Sequence, residues 1–359
     1  MKQAAAPAVE VMESRVLLSA VLNPASYASL GSFDPVPGIY TVDTNVTADS
    51  SAGTIQGPNQ TYLTGTNSNG IWVFAFNNVE VGSGVTINAS GADPWAIVST
   101  GSIVVAGTIN NDGQSAHDYE SALGTDLGTQ AANLGGPGGG TGGFVGDNGL
   151  GAGGGGGGGG TVGGGGGAFG GAGGLGGNST SSIGAAGVAY GNLSNDLAGG
   201  SGGGGAVHDV TGGGGGGGFE LSSDSFIDIA AGASVTANGG FGAGDLGAGS
   251  GGGSGGEIVI AGLSVNLAGS VTANGGKGGV GNSGGGGGGG GGLVDISTGT
   301  YVLSGILSAA GGAGNAYSST GLLSAGASGA SGATGILNSN PNAPATPLIN
   351  REKARGVLV

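Results

Sequence analysis

One stretch of this chain is written twice. Ser234-Val235-Thr236-Ala237-Asn238-Gly239-Gly240 recurs unchanged from Ser270 to Gly276, 36 residues on. A degenerate third copy, Leu307-Ser308-Ala309-Ala310-Gly311-Gly312, follows at the same interval. Unbroken glycine runs, Gly212–Gly218 and Gly284–Gly292, lie before and between the copies. A fixed period of this size marks a repeat architecture, in which one short supersecondary unit is stacked many times. Such an object is elongated and works through its surfaces more than through a cleft.

Glycine supplies 98 of 359 residues, and no residue costs more backbone entropy to order. The chain must therefore be disordered over long stretches or held by an unusual arrangement. Collagen is excluded, because no Gly-X-Y period exists and prolines number only 10. Wholesale disorder does not fit either. Segments such as Ile71–Phe76 and Ile103–Val105 are apolar and β-branched, a composition that disordered chains avoid.

Short apolar strands bounded by Gly and Asn recur. Ser102–Gly113 aligns with Leu263–Gly275 and with Thr300–Gly311. The shared form is an apolar strand, a small residue, Gly, a β-branched or Leu position, and a polar turn that ends in Gly. Strands are expected at Phe219–Leu221, Ile258–Ile260 and Leu293–Ile296, each after a glycine run. A second strand follows each, at Phe226–Ile229, Leu263–Leu267 and Tyr301–Leu303. Val235, Val271 and Leu307 should then point into one core on successive rungs. Asp112, Asn238 and Asn274 fall at matching corners, where a rung-to-rung hydrogen-bonded ladder is expected. Removing the glycine excursion from the 36-residue period leaves on the order of 20 residues, the length of one coil.

Five segments follow. Residues 1–22 read as an N-terminal targeting segment, and 23–113 as a cap with the first rungs. Residues 114–218 are a glycine-rich insertion, 219–337 are the 36-residue repeats, and 338–359 are a tail rich in Pro and then basic. The insertion has two readings. One is a flexible linker. The other is a packed sheaf of extended three-residue-per-turn helices, which only glycine allows to touch on every side. Phe144, Phe169 and Leu175 inside the runs favour the sheaf, because a linker has no use for them.

A net charge of −15, with only Lys277 as an internal cation, argues against a nucleic-acid partner. No cysteine is present, so disulfides cannot staple the fold. No apolar run is long enough for a transmembrane helix. His117-Asp118 and His208-Asp209 flank the glycine insertion; brought together they would suit Zn²⁺ or a similar ion. Gly239–Leu246 looks like a calcium-binding glycine-rich nonapeptide, with Asp245 one residue late. No dedicated cofactor is expected, only weak binding of Ca²⁺ or other divalent ions by the acidic surface. Glycine strings match G-x-G-x-x-G trivially, and no Gly-Lys-Ser/Thr occurs. Asp224 and Asp228 are the nearest thing to a catalytic carboxylate pair, but no basic partner is close in sequence. Trp72, Trp95, Phe226 and Tyr301 read as core or stacking residues.

Two resemblances add to this. Met12-Glu13-Ser14-Arg15-Val16-Leu17-Leu18-Ser19-Ala20 resembles the LEPR-XLL motif near the N-terminus of exported planctomycete proteins. Met12 and Ser14 replace the usual Leu and Pro. Roughly residues 40–340 resemble the glycine-rich bacterial surface proteins built on a right-handed β-solenoid, through Ile71–Phe76, Val79–Ile87, Pro94–Val98 and Ser102–Ile109. Together they imply an all-β fold, a right-handed parallel β-solenoid (β-helix) with inserted polyproline-II-like, polyglycine II segments, at the cell surface or secreted. The function expected is non-enzymatic, structural or adhesive, with cell-envelope or matrix polysaccharide or other surface proteins as partners. The alternatives are a carbohydrate-active β-helix enzyme, for which a groove with two carboxylates would speak, and an ice- or surface-binding protein, for which a regular array of Thr along one face would speak.

Overall fold

The computed structural model describes residues 21–35, 45–116, 133–179, 182–192, 197–207, 210–244, 247–315 and the strand 336–340. Among them the only helical elements are two three-residue 3₁₀ turns; the ordered elements are otherwise strands, most of them in parallel pairs.

Four short strands come first: β1 (Asn45–Asp49), β2 (Thr54–Gln56), β3 (Tyr62–Thr64) and β4 (Thr66–Ser68). Rungs of strands follow. The first is β5 (Ile71–Phe76), β6 (Val79–Val81) and β7 (Thr86–Ser90). The second is β8 (Trp95–Ser99), β9 (Ile103–Val105) and β10 (Thr108–Asn110). The third is β11 (Gly218–Ser223), β12 (Phe226–Ile229) and β13 (Ser234–Thr236). Then come β14 (Glu257–Leu267) with β15 (Ser270–Thr272), β16 (Leu293–Leu303) with β17 (Ile306–Ser308), and β18 (Ile336–Asn340).

Each strand lies parallel to its counterpart on the next rung, which gives three ladders. The first runs β5, β8, β11, β14, β16, β18. The second runs β6, β9, β12 and the far halves of β14 and β16. The third runs β7, β10, β13, β15, β17. Trp72 sits opposite Trp95, so parallel partners with no excursion between them are 23 residues apart (72 to 95). Val235, Val271 and Leu307 are register partners on successive rungs, as the repeat implied. The strand pairs expected at 258–267 and 293–303 are each one continuous strand. The reason is that β14 spans two ladders at once, pairing with both β11 and β12.

The core is a set of apolar columns between the ladders. One column is Phe74, Ile97, Leu221, Ile260 and Ile296; another is Val81, Val105, Ile229 and Leu267. All are buried, and each such side chain contributes roughly 1.5–3 kcal/mol. Trp95 packs on Phe74 and Phe219, and its indole N–H donates to Asn111 Oδ1 at 2.6 Å. The third ladder continues past β7 into β1, which lies parallel to it, and ends on β2 and β3, which follow antiparallel; β4 lies antiparallel to β5. Phe33 stacks on Phe76 there, 4.9 Å between ring centroids. Antiparallel strands at the end of a parallel stack stop further pairing.

The glycine runs leave the stack at one recurring position. The chain departs after β10, β13 and β15 and returns into β11, β14 and β16 respectively. The hundred-residue interruption is thus one enlarged copy of the excursion that every later rung makes. Its backbone is bonded in a rotating pattern. Gly163 and Gly166 donate to Gly177 and Gly174; Gly164 and Gly167 to Gly249 and Gly252; Gly165 and Ala168 to Gly156 and Gly153. N–H groups three residues apart thus reach the same neighbour, and consecutive ones reach three different neighbours. The run 249–256 repeats the pattern, toward 284–290, 237–243 and 201–204. A Cβ at Gly165 would fall on the carbonyl oxygen of Ala185, and one at Gly251 on that of Gly165. Of the three apolar residues in these runs, Phe169 is buried against Tyr190, with ring centroids 5.1 Å apart. Phe144 and Leu175 are exposed, so of the three only Phe169 supplies the buried apolar surface expected of a sheaf. A segment with a three-residue turn hides one direction and shows another, so position within the turn decides.

Candidate functional site

The residues chosen from sequence for a metal, His117, Asp118, His208 and Asp209, lie outside the described residues, as does Asp245 of the nonapeptide-like stretch. Among the described residues no group of three His, Cys, Asp or Glu is placed to hold a metal ion, and no helix is long and apolar enough to cross a membrane.

Asp228 sits on the second ladder, in β12, and Asp224 in the bend between β11 and β12. Partial burial raises the Asp224 carboxyl above its ordinary range. Asp228 points outward from β12 and accepts a hydrogen bond from Asn266 Nδ2 at 2.8 Å. A shallow groove crosses this face, lined by Phe226, Asp228, Ser264, Asn266, Thr300 and Val302. Asp228 is the one carboxylate in that lining. Phe226, expected as a core or stacking residue, is not in the core: it is 44% exposed in the groove, because it takes an outward position of β12 while Ile227 and Ile229 take the inward ones.

The largest electrostatic anomaly is elsewhere. The outer face of the first ladder is covered by Val21, Leu22, Tyr27 and Leu197, and it carries Glu220, Glu257 and Asp295, all buried. Glu220 and Asp295 share one column, with Val259 between them. Glu220 Oε1 accepts from the Leu22 N–H at 2.7 Å, and Ser222 Oγ donates to the Leu22 carbonyl at 2.8 Å. Glu257 Oε2 accepts from the Ala198 N–H at 3.1 Å. Burial pushes the Glu220 carboxyl up to about 8; the nearby Asp295 adds to the rise, and the Leu22 hydrogen bond opposes it. Glu220 is thus largely neutral at pH 7. These groups clamp the incoming segment and the Leu197–Ala198 edge of the glycine region onto the sheet. Val21 and Leu22, the last residues of the expected targeting segment, are part of this packing. Sequence reasoning passed over the three acids. The available signal was an acid inside each apolar strand that follows a glycine run: Phe219-Glu220-Leu221, Glu257-Ile258-Val259 and Val294-Asp295-Ile296.

The third ladder presents an outward face of another kind. Opposite the buried column Ile87, Ile109, Val235 and Val271 lie partly exposed Ser, Thr and Asn in strict register. The rows are Thr86 with Asn88, Thr108 with Asn110, Ser234 with Thr236, and Ser270 with Thr272. Asn110 Nδ2 donates to Asn88 Oδ1 at 3.1 Å, and Ser234 Oγ to Thr108 Oγ1 at 3.1 Å. At the adjoining corner the expected ladder forms. Asp112 accepts from the Asn238 N–H, Asn238 from the Asn274 N–H and Asn274 from the Ala310 N–H. The acceptors are side-chain oxygens and the donors backbone amides, so the ladder is tied to the main chain and is not one of amide to amide.

Comparison with known proteins gives no match: no family model, no curated protein and no solved structure aligns with the chain.

Proposed function

We propose that this chain is a non-enzymatic structural or adhesive protein of the cell surface or extracellular matrix. In this reading the strand stack is a right-handed β-solenoid and the glycine excursions form a polyglycine II layer beside it. The observation that carries it is the three-residue rotation of hydrogen-bond partners through the glycine runs. That is the period of a polyproline-II-type helix, which has no internal hydrogen bonds and satisfies its backbone only through neighbours. A body built this way spends most of its described residues on shape. The LEPR-XLL-like stretch Met12–Ala20 supports export, and an acidic body with few cations suits a solvent-facing object. Partners would be envelope or matrix polysaccharides or other surface proteins, met through the long outer faces.

Protease shaving and fractionation of intact cells producing the full chain test location: release from the surface or recovery in the medium is expected, and confinement to the cytoplasmic fraction would overturn the proposal. Deleting residues 1–20 should abolish export and leave thermal unfolding of the remaining chain unchanged. A shift in unfolding would place those residues in the fold instead.

A further inference from the structure

We infer that the outward face of the third ladder is a binding surface for ice, that is, for the crystalline lattice of water. This goes beyond the scaffold reading and does not depend on it. The face is a two-dimensional grid. Thr86, Thr108, Ser234 and Ser270 form one column, which runs between Asn45 on β1 and the exposed Ile306 on β17. Asn88, Asn110, Thr236 and Thr272 form the second, two residues along each strand. Successive rows are separated by about 4.8 Å and the two columns by roughly 6.6 Å. A face of hexagonal ice is a two-dimensional lattice of oxygen atoms, so hydroxyl and amide groups held on a regular grid can engage many of its positions over several rows at once.

Three further properties of the face point the same way. Its two columns are neutral: neither carries a charged residue in a chain of net charge −15, and the nearest acids, Asp49 and Asp112, lie at the adjoining corner. A charged side chain would impose its own hydration shell on the water layer. It is pre-ordered: the Asn110–Asn88 and Ser234–Thr108 hydrogen bonds fix side chains before any ligand arrives, which lowers the entropy lost on binding. And it bears no aromatic side chain in either column, the usual platform for a sugar ring, so a lattice of water fits it better than a polysaccharide chain. The register survives the large excursion. Thr108 and Ser234 are neighbours although 126 residues separate them, so the grid is continuous from the second rung to the third.

Ice growth and recrystallisation in frozen sucrose solution, with the purified full chain, provide the test. Expected are faceted crystals, inhibited recrystallisation and enrichment of labelled protein on a growing ice surface. Thr236→Tyr with Thr272→Tyr should cost roughly tenfold or more in the concentration needed, at an unchanged melting temperature. Thr236→Lys with Thr272→Lys, whose side chains reach solvent, applies the same test should tyrosine disturb packing. Glu80→Tyr, on the second ladder, should leave the effect intact. Wild-type protein with no effect on ice growth overturns the inference. So does full activity in folded face variants, or retention on insoluble chitin or cellulose through this face with no effect on ice.

Discussion

The strand stack and the glycine layer solve the same problem, satisfying a buried backbone, by opposite means. In the stack each strand bonds two neighbours and its side chains do the packing. Phe74, Ile97, Leu221, Ile260 and Ile296 fill one column, and replacing any of them changes volume in a closed space. In the glycine layer consecutive N–H groups turn to three neighbours, and side chains are excluded because carbonyl oxygens occupy the space a Cβ would need. The first region tolerates apolar exchange of similar size and forbids charge. The second forbids almost any side chain, whatever its polarity. The comparison teaches that low complexity in this sequence is not low order: glycine here is the most constrained residue of the layer.

The contrast can be broken first in the stack. Val271 is buried on β15, between Val235 and Leu307 of the neighbouring strands. Val271→Asp puts an unpaired charge there and should cost on the order of 5 kcal/mol or more. β circular dichroism and melting should both collapse; wild-type values would dissolve the assignment of a shared core. Next comes the covered outer face. The Glu220 carboxyl has an ordinary value of 4.5 and is raised to about 8 in the folded protein. A raised carboxyl favours the folded state fully below pH 4.5, and that contribution is lost as pH climbs to and through about 8. The groups facing it are Asp295 and Glu257 on the same sheet, with Tyr27 the one titratable side chain among the described covering residues. Stability should therefore fall with rising pH, by up to about 5 kcal/mol over that window. Glu220→Gln, which keeps an acceptor for Leu22, should flatten the slope. An equal slope in denaturant titrations of both proteins would shift the cause elsewhere.

The glycine layer gives the third test. Gly165→Val should destabilise by about 3 kcal/mol and strip amide-exchange protection from 163–168. Gly159 faces only the Ile183 side chain at 3.5 Å, so Gly159→Ala should be neutral or slightly stabilising. Equal tolerance at both sites would return the layer to a linker. The smallest effect belongs to the corner. Asn274 Oδ1 accepts from the Ala310 N–H and from Ser308 Oγ, at 2.7 and 2.6 Å. Asn274→Ala should cost about 1–2 kcal/mol, read as a modest drop in melting temperature with the rest of the stack intact.

Much of this was legible in the residues themselves. The 36-residue repeat put Val235, Val271 and Leu307 in register, and the Gly- and Asn-bounded apolar runs located most strands, because period and turn chemistry are local properties. The corner ladder followed from the matching positions of Asp112, Asn238 and Asn274. Other features depended on partners far apart in the chain. Glu220, Glu257 and Asp295 read as isolated acids until the incoming segment and Leu197 cover them, for burial is a property of what lies opposite. Phe169 and Leu175 look alike in a glycine run, and only the direction each takes within its three-residue turn buries one and exposes the other. The Ser, Thr and Asn grid needs Thr108 beside Ser234 across the whole glycine insertion. Composition and period determined that the chain would stack and that glycine would crowd; the tertiary structure decided which faces were covered and which were left in ordered rows, because parallel pairing joins segments that no local sequence window contains.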